Sequence, residues 1–319
     1  MTKTFAITAG EPNSINSEII AKCWNENKRR NYFIIGNVLL LKKQLSSLKI
    51  NIPLFEIKSI REINNSKFLN IYNVPLNFKN PFNVEKVESS KYVLKCLDLA
   101  HDLAIKKLIP GFINCPIDKK KIFKTKNIGV TEYLANKNNL NKTEVMMIYN
   151  KKLAVVPITT HLSLKNVSKN INKSIIEKKI KTINNFYLKL IKRKPIIAVL
   201  GLNPHNKEMR VGSEENKIIT PILQKLKKNN YKVKGPFAAD TIFLNKKKYK
   251  YDVIVGMYHD QVLAPFKTLY NFDAINITLG LKYLRISPDH GIATDMIGEG
   301  KANHLSLLKA IEFFYKNKI

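Results

Sequence analysis

Cysteine is scarce in this chain. Only Cys23, Cys96 and Cys115 occur, an odd number with no CxxC pair. That argues against a disulfide framework and a cysteine zinc site, and it fits a reducing compartment. Long apolar runs are also missing. None approaches the roughly 20 residues that a membrane-spanning helix needs. The opening "MTKTFAITAGEP" enters a strand-like run at once and lacks the apolar core of a signal peptide. A cytoplasmic protein with no membrane partner is expected. The glycines do not make a Rossmann fingerprint, because "TAGEPNSINSE" holds one glycine where G-x-G-x-x-G is needed. Acidic residues are few, 24 against 55 Lys and Arg, for a net charge of +31. Such a charge suits a nucleic-acid or anionic-membrane surface, or simply a solvated basic exterior. The lysines fall in short scattered runs, such as 119–121 and 246–248, with no tail or basic stripe. The solvated exterior is therefore preferred, with no nucleic-acid partner. A basic chain still favours an anionic small substrate.

The hydrophobic content of 45% over 319 residues supports a large core and two domains of ordinary size. Short apolar strands alternate with amphipathic helices. Strands are predicted over 4–8, 32–36, 111–115, 153–159, 195–201, 252–257 and 274–280. Helices are predicted over 17–27, 91–108, 173–192, 217–229 and 304–317. This alternation predicts an α/β fold with mostly parallel sheets. Residues 51–78 read as irregular with edge strands.

Six histidines occur, and three share a context. His161 follows "LAVVPITT", His205 follows "IIAVLGLNP" and His259 follows "VIVGMY". Ligand sites in open α/β sheets lie beyond the carboxyl ends of the strands, and neighbouring strands are only about 5 Å apart. Three imidazoles at that edge match the ligand set of a catalytic divalent metal, most simply zinc. Taken singly, each could instead cap a strand or bond a backbone carbonyl. Asp260 adjoins His259, and Asp240 lies in "GPFAADTIF", read as the loop before the next strand-like piece. These carboxylates could complete a metal shell, orient an imidazole or accept a proton, or they could be ordinary turn residues. Lys267, Asn276 and Arg285 follow downstream. Arginine is scarce here and suits bidentate carboxylate or phosphate binding, so Arg285 is the informative cation. The widely spaced Gly291, Gly298 and Gly300 of "DHGIATDMIGEGKAN" are a weak loop signal, either a nucleotide-contacting turn or helix punctuation.

Seven collinear blocks, "ITAGEPNSINSEII", "GVTEYLA", "PITTHLSLKNV", "GLNPHNKE…VGSEE", "GPFAADTIF", "YHDQVLAPFK" and "NITLGLKYLRISPDHGIATDMIGEGKAN", resemble the 4-hydroxythreonine-4-phosphate dehydrogenases, the PdxA family. The resemblance spans nearly the whole chain. It implies two α/β/α domains, similar to isocitrate and isopropylmalate dehydrogenases, with the active site in the interdomain cleft. Residues 1–130 plus about 275–319 would form the cofactor-side domain, and about 131–274 the central domain with metal ligands and dimer contacts. It implies a homodimer with shared active sites, NAD or NADP as cofactor, and one divalent metal (Zn, Mg or Co) on His161, His205 and His259. It places substrate contacts on Thr131, Lys267, Asn276 and Arg285, and cofactor contacts on His290 and Gly291. Asp240, Asp260 and Lys267 are the expected catalytic groups. The implied reaction is oxidation of 4-phosphooxy-L-threonine and decarboxylation to 3-amino-2-oxopropyl phosphate, which feeds pyridoxine phosphate synthesis.

Three departures stand on the N-terminal side. Val130 replaces a substrate-contacting His of the family, "GEPNSINSE" lacks its Gly-Ile-Gly-Pro run, and the stretch before Val130 is short. A related four-carbon hydroxy-acid phosphate is therefore an alternative substrate. From a different class, a three-His metallohydrolase would also use His161, His205, His259 and Asp260, but it leaves Lys267, Asn276, Arg285 and the 289–303 loop without roles.

Overall fold

The computed structural model describes residues 4–27, 31–63, 67–123, 129–140, 144–205, 210–244 and 250–317. In chain order the elements begin β1 Phe5–Thr8, α1 Asn16–Glu26, β2 Tyr32–Gly36, α2 Val38–Ser47, β3 Leu54–Ile57, β4 Leu69–Asn73, α3 Lys86–Ile105, β5 Gly111–Asn114, α4 Lys119–Ile122 and α5 Val130–Lys137. They continue with β6 Val145–Asn150, β7 Leu153–Thr159, α6 Val167–Asn170, α7 Lys173–Phe186, β8 Ile197–Leu200, α8 Thr220–Lys228, β9 Val233–Phe237, α9 Ala239–Ile242, β10 Val253–Tyr258, α10 His259–Tyr270 and β11 Ile275–Leu279. β12 Leu284–Pro288 and α11 Leu305–Lys316 close the chain. Two compact units result, residues 1–134 with 282–319, and residues 135–281. No described helix is long and apolar enough to cross a membrane.

In the first unit the strand order is β3-β4-β2-β1-β5-β12, and every pairing is parallel. Parallel strands are covered on both faces and read as continuous apolar runs. "YFIIG" and "FAIT" are buried at every position. Over 51–78, β3 takes the outer edge and β4 the place beside it, paired to β2. The packing centre is aromatic. Phe5 stacks on Phe314 at 4.3 Å between ring centres, and Trp24 meets Tyr32 edge-on at 6.0 Å. Each such fully buried side chain contributes ~1.5–3 kcal/mol.

In the second unit the order is β11-β6-β7-β10-β8-β9. β7, β10, β8 and β9 run parallel, and β6 is antiparallel to both β7 and β11. Val155, Ala198, Leu200, Ile254, Val262 and Phe266 form its core. Two long helices differ from the sequence expectation. The helix predicted over 173–192 is α7 followed by a π turn over Tyr187–Ile191, stopped by Lys192 in the left-handed region. The helix predicted from 217 opens as a π turn over Glu215–Ile219. Asp240 is not in a loop before a strand. It sits on α9, directly after β9, a strand that Gly235 and Pro236 had disguised.

Gly111 shows how tightly the sheet closes. A Cβ there would meet the Leu284 carbonyl oxygen at 2.0 Å on the neighbouring strand. Backbone cannot yield as a flexible side chain would. Gly111→Ala is expected to cost about 1–3 kcal/mol, measured as a lower urea midpoint with an unchanged slope.

Candidate functional site

The register of three adjacent parallel strands explains how the histidines are delivered. Tyr258 pairs with Thr159, so β7 and β10 end level. His161 and His259 follow within two residues, and their rings lie 6.3 Å apart between centres. An imidazole nitrogen binds zinc at about 2.0–2.1 Å in tetrahedral geometry, so the two rings stand roughly 1 Å beyond the spacing at which one ion is shared. His205 leaves β8, the strand on the other side of β10. It lies five residues beyond the strand, next to residues 206–209, which are outside the described set. Among the described residues no three His, Cys, Asp or Glu side chains are grouped closely enough to hold a metal. The structure therefore gathers two of the three predicted ligands and places the third on the adjoining strand end.

These ends are laced together. Thr159 Oγ1 donates to Met257 O at 2.7 Å. Gln261 Oε1 accepts from Met257 N at 2.7 Å, and its Nε2 donates to Gly201 O at 2.8 Å. Gly256 makes room, since a Cβ there would meet Val262 Cγ1 at 2.5 Å and Gln261 Oε1 at 2.9 Å. The turn leading to His205 is held from α8's side of the unit. Buried Glu215 accepts from Leu202 N at 2.6 Å, Asn203 N at 2.9 Å and Asn203 Nδ2 at 3.0 Å. Burial pushes the Glu215 carboxyl up, but these bonds outweigh it and hold the group below the usual carboxylate range.

His259 is the first residue of α10, a helix not predicted from the sequence. Its Nδ1 faces Asp260 Oδ1 at 2.6 Å. With the proton on Nδ1 the carboxylate accepts it, and the Nε2 lone pair is presented to a metal. Lys267 lies two turns along the same helix, about 12 Å down its axis. Asn276 is on β11, and its buried Oδ1 has no hydrogen-bond partner. A buried amide oxygen left unmade costs about 1–3 kcal/mol, so a ligand donor would be stabilised there.

Thr131, Arg285, His290 and Gly291 belong to the first unit. Arg285 on β12 is 3% exposed. Its Nε donates to Asn114 Oδ1 at 2.6 Å and its Nη1 to Thr131 Oγ1 at 3.4 Å. Burial pulls the guanidinium down to about 10, so it is still cationic at neutral pH. Lys119 is held below the ordinary lysine value, first by lost hydration and then by the Arg285 charge, while Glu132 and Asp289 pull the other way. Two neighbouring cations, Lys119 and the buried Arg285, make a setting that an anion relieves. Val130 is buried beside Thr131 in the chain. His290 Nδ1 lies 2.9 Å from Gly291 O, and Gly291 has open space where a Cβ would stand.

Asn114, Lys119, Glu215 and Gln261 were not singled out from the sequence. Only Gln261 carried a signal, as the third polar residue of "HDQ".

An α/β protein with paired histidines at parallel strand ends and a buried arginine has the parts of a metal-assisted enzyme for anionic substrates. The sequence matches the family described as pyridoxal phosphate biosynthetic protein PdxA over residues 28–314, and the chain belongs to that family. It is 38% identical to a 4-hydroxythreonine-4-phosphate dehydrogenase of Aquifex aeolicus, over 98% of this chain and 97% of the relative. It is 32% identical to a D-threonate 4-phosphate dehydrogenase of Salmonella typhimurium, over 98% of each. Among solved structures, a 4-hydroxythreonine-4-phosphate dehydrogenase of Klebsiella pneumoniae superposes with a TM-score of 0.87 at 30% identity, over 99% of this chain and 100% of that one.

The carboxylate of Glu215 generates a pH prediction. Its folded pKa is depressed, so its stabilisation is full above the unfolded glutamate value and is lost as pH falls through the lower folded value. Glu215→Gln is expected to lower stability by about 1.5–3 kcal/mol at pH 7. Urea midpoints of the two proteins should converge in acid below the ordinary glutamate range.

Proposed function

We propose that this protein oxidises 4-phosphooxy-L-threonine with NAD or NADP, with decarboxylation to 3-amino-2-oxopropyl phosphate. The observation that carries the reading is the His161–His259 pair at 6.3 Å on adjacent parallel strand ends, in a chain that belongs to the PdxA family. His161, His205 and His259 hold one divalent cation. Zinc, cobalt and magnesium are the candidates, and imidazole donors favour zinc. When bound, the cation lowers the pKa of a substrate hydroxyl and the nicotinamide accepts the hydride. Asp260 keeps His259 in the metal-binding tautomer. Asp240, exposed on α9, accepts the hydroxyl proton. Lys267 donates to the oxygen that gains charge as carbon dioxide leaves. Thr131, Asn276 and Arg285 hold the phosphorylated acid. His290, Gly291 and the loop after them take the nicotinamide cofactor. Leu164, Val211 and Leu244, among the most exposed large apolar side chains described, all lie in the second unit. Their exposure fits a homodimer in which a second copy covers part of that unit.

A second reading has its own support. Val130 stands where the family has a substrate-contacting His, and the Salmonella relative acts on D-threonate 4-phosphate by its name. A four-carbon hydroxy-acid phosphate without the amino group is the alternative substrate.

Formation of NADH or NADPH with added divalent metal, measured with both acids, tests these readings. No reduced cofactor with either acid would sink the dehydrogenase. His259→Ala is expected to lose bound metal and to lower kcat at least about 100-fold. The circular dichroism, and the thermal midpoint compared without metal, should hold, because His259 is only half-buried. Val130→His puts an imidazole into a buried position, at a cost of about 1–3 kcal/mol read in the thermal midpoint. It is expected to shift the ratio of kcat/KM several-fold toward 4-phosphooxy-L-threonine. An unchanged ratio would remove Val130 from substrate choice.

A further inference from the structure

The loop after β12 has little packing of its own. Residues 291–301 are exposed or half-buried throughout. Ala293, Gly298 and Gly300 have φ of +46°, +82° and +69°, and no atom lies within 4 Å of where a Cβ would stand on Gly298 or Gly300. Its middle is held by its own turns, Met296 N to Ala293 O at 3.0 Å and Glu299 N to Met296 O at 3.2 Å, and one stripe of α1 ties down its ends. Lys22 Nζ donates to Gly300 O at 2.9 Å and to Ala302 O at 2.8 Å, and pairs with Glu18 Oε1 at 2.7 Å. The same Glu18 Oε1 accepts from Ala302 N at 2.7 Å. Thus an i,i+4 ion pair on α1, with its Glu 1% exposed, grips both the carbonyl and the amide side of the loop. The stripe continues at either end. Ile15 N donates to Ile292 O at 3.3 Å, and Glu26 meets His304 Nε2 at 2.5 Å.

We infer that Glu18 and Lys22 are positioning residues that pre-form the 291–303 loop for the nicotinamide cofactor. The inference rests on the proposed cofactor role of that loop. A loop shaped before binding does not spend affinity on being ordered. The pair's hydrogen bonds to the loop all go to backbone, so it acts on cofactor binding and not on the chemical step.

Lys22→Met in the full chain keeps the apolar stem and removes the donors, and Lys22→Arg keeps the charge. Hydrogen exchange of amides 291–303 reads the loop directly. Steady-state kinetics separate KM for the cofactor from kcat at saturating cofactor. The expected result for Lys22→Met is faster exchange in the loop, a cofactor KM raised about ten-fold, and kcat within about two-fold, with partial recovery in Lys22→Arg. Glu18→Gln keeps an acceptor for Ala302 N but breaks the ion pair, and it serves if Lys22→Met folds poorly. Unchanged loop exchange overturns the clamp. Faster exchange with an unchanged cofactor KM keeps the clamp and overturns the cofactor role of the loop. A fall in kcat with no rise in cofactor KM overturns the division between positioning and chemistry.

Discussion

The side-chain amide of Gln261 accepts from Met257 N and donates to Gly201 O, both at buried positions. A parallel sheet brings strand ends to one edge, but it does not fix how they leave that edge. Here the amide ties the end of β10 to the end of β8, while Thr159 ties β7 to β10. The bonds also decide where α10 starts. Gln261 must return over Gly256, where a Cβ would be 2.9 Å from its Oε1. His259 then occupies the first turn, with Asp260 beside it. From Gly201 the dependence runs on to Leu202 and Asn203, both bound by Glu215, and so to the turn that carries His205. Loss of one such bond leaves a buried group unpaired at about 1–3 kcal/mol.

Electrostatics in the first unit turn on one residue. The net charge of +31 belongs mostly to lysines in water, where it is screened beyond about 8–10 Å. Arg285 is different because it is buried, and its bonds to Asn114 and Thr131 go to neutral groups. Burial lowers its pKa to about 10, which measures how poorly solvated the charge is. Under the proposed function, an anionic substrate would regain that loss through charge-assisted bonds. The scarce arginine is thus the cation that burial sets apart, whereas the lysines are mostly solvated.

How far the sequence could be read follows from the range of the interactions involved. β2 and β7 were legible as unbroken apolar runs, buried at every position. β9 and β12 were not, because "VKGPF" and "LRISP" carry proline, glycine or charge within five residues. α10 was not predicted, since Tyr258 at the cap supplies no side-chain bond, no Ser, Thr, Asp or Asn marks the boundary, and Pro265 stands inside it. The histidines stood out because each follows an apolar strand, although the offsets differ: two residues after β7, five after β8 and one after β10. Gln261, Asn114 and Lys22 did not, because their partners lie 60, 171 and 278 or more residues away. No local pattern records such a bond.

Backbone strain separates the candidate loops from the rest of the chain. Nine described non-glycine residues have positive φ. Six of them, Lys49, Lys107, Asn139, Lys192, Asn230 and Asn271, lie one or two residues past a helix, where a positive-φ residue commonly ends the helix. The other three are His161, His205 and Ala293. None of these ends a helix, so the usual compensation is absent and each conformation costs on the order of 1–3 kcal/mol. Two are proposed metal ligands, and the third lies in the loop held by Glu18 and Lys22. Asparagine or glycine would adopt these angles more cheaply. Under the proposed function the strain at His161 and His205 serves what their rings reach, within the second unit, while Ala293 lies in a loop held by α1 within the first.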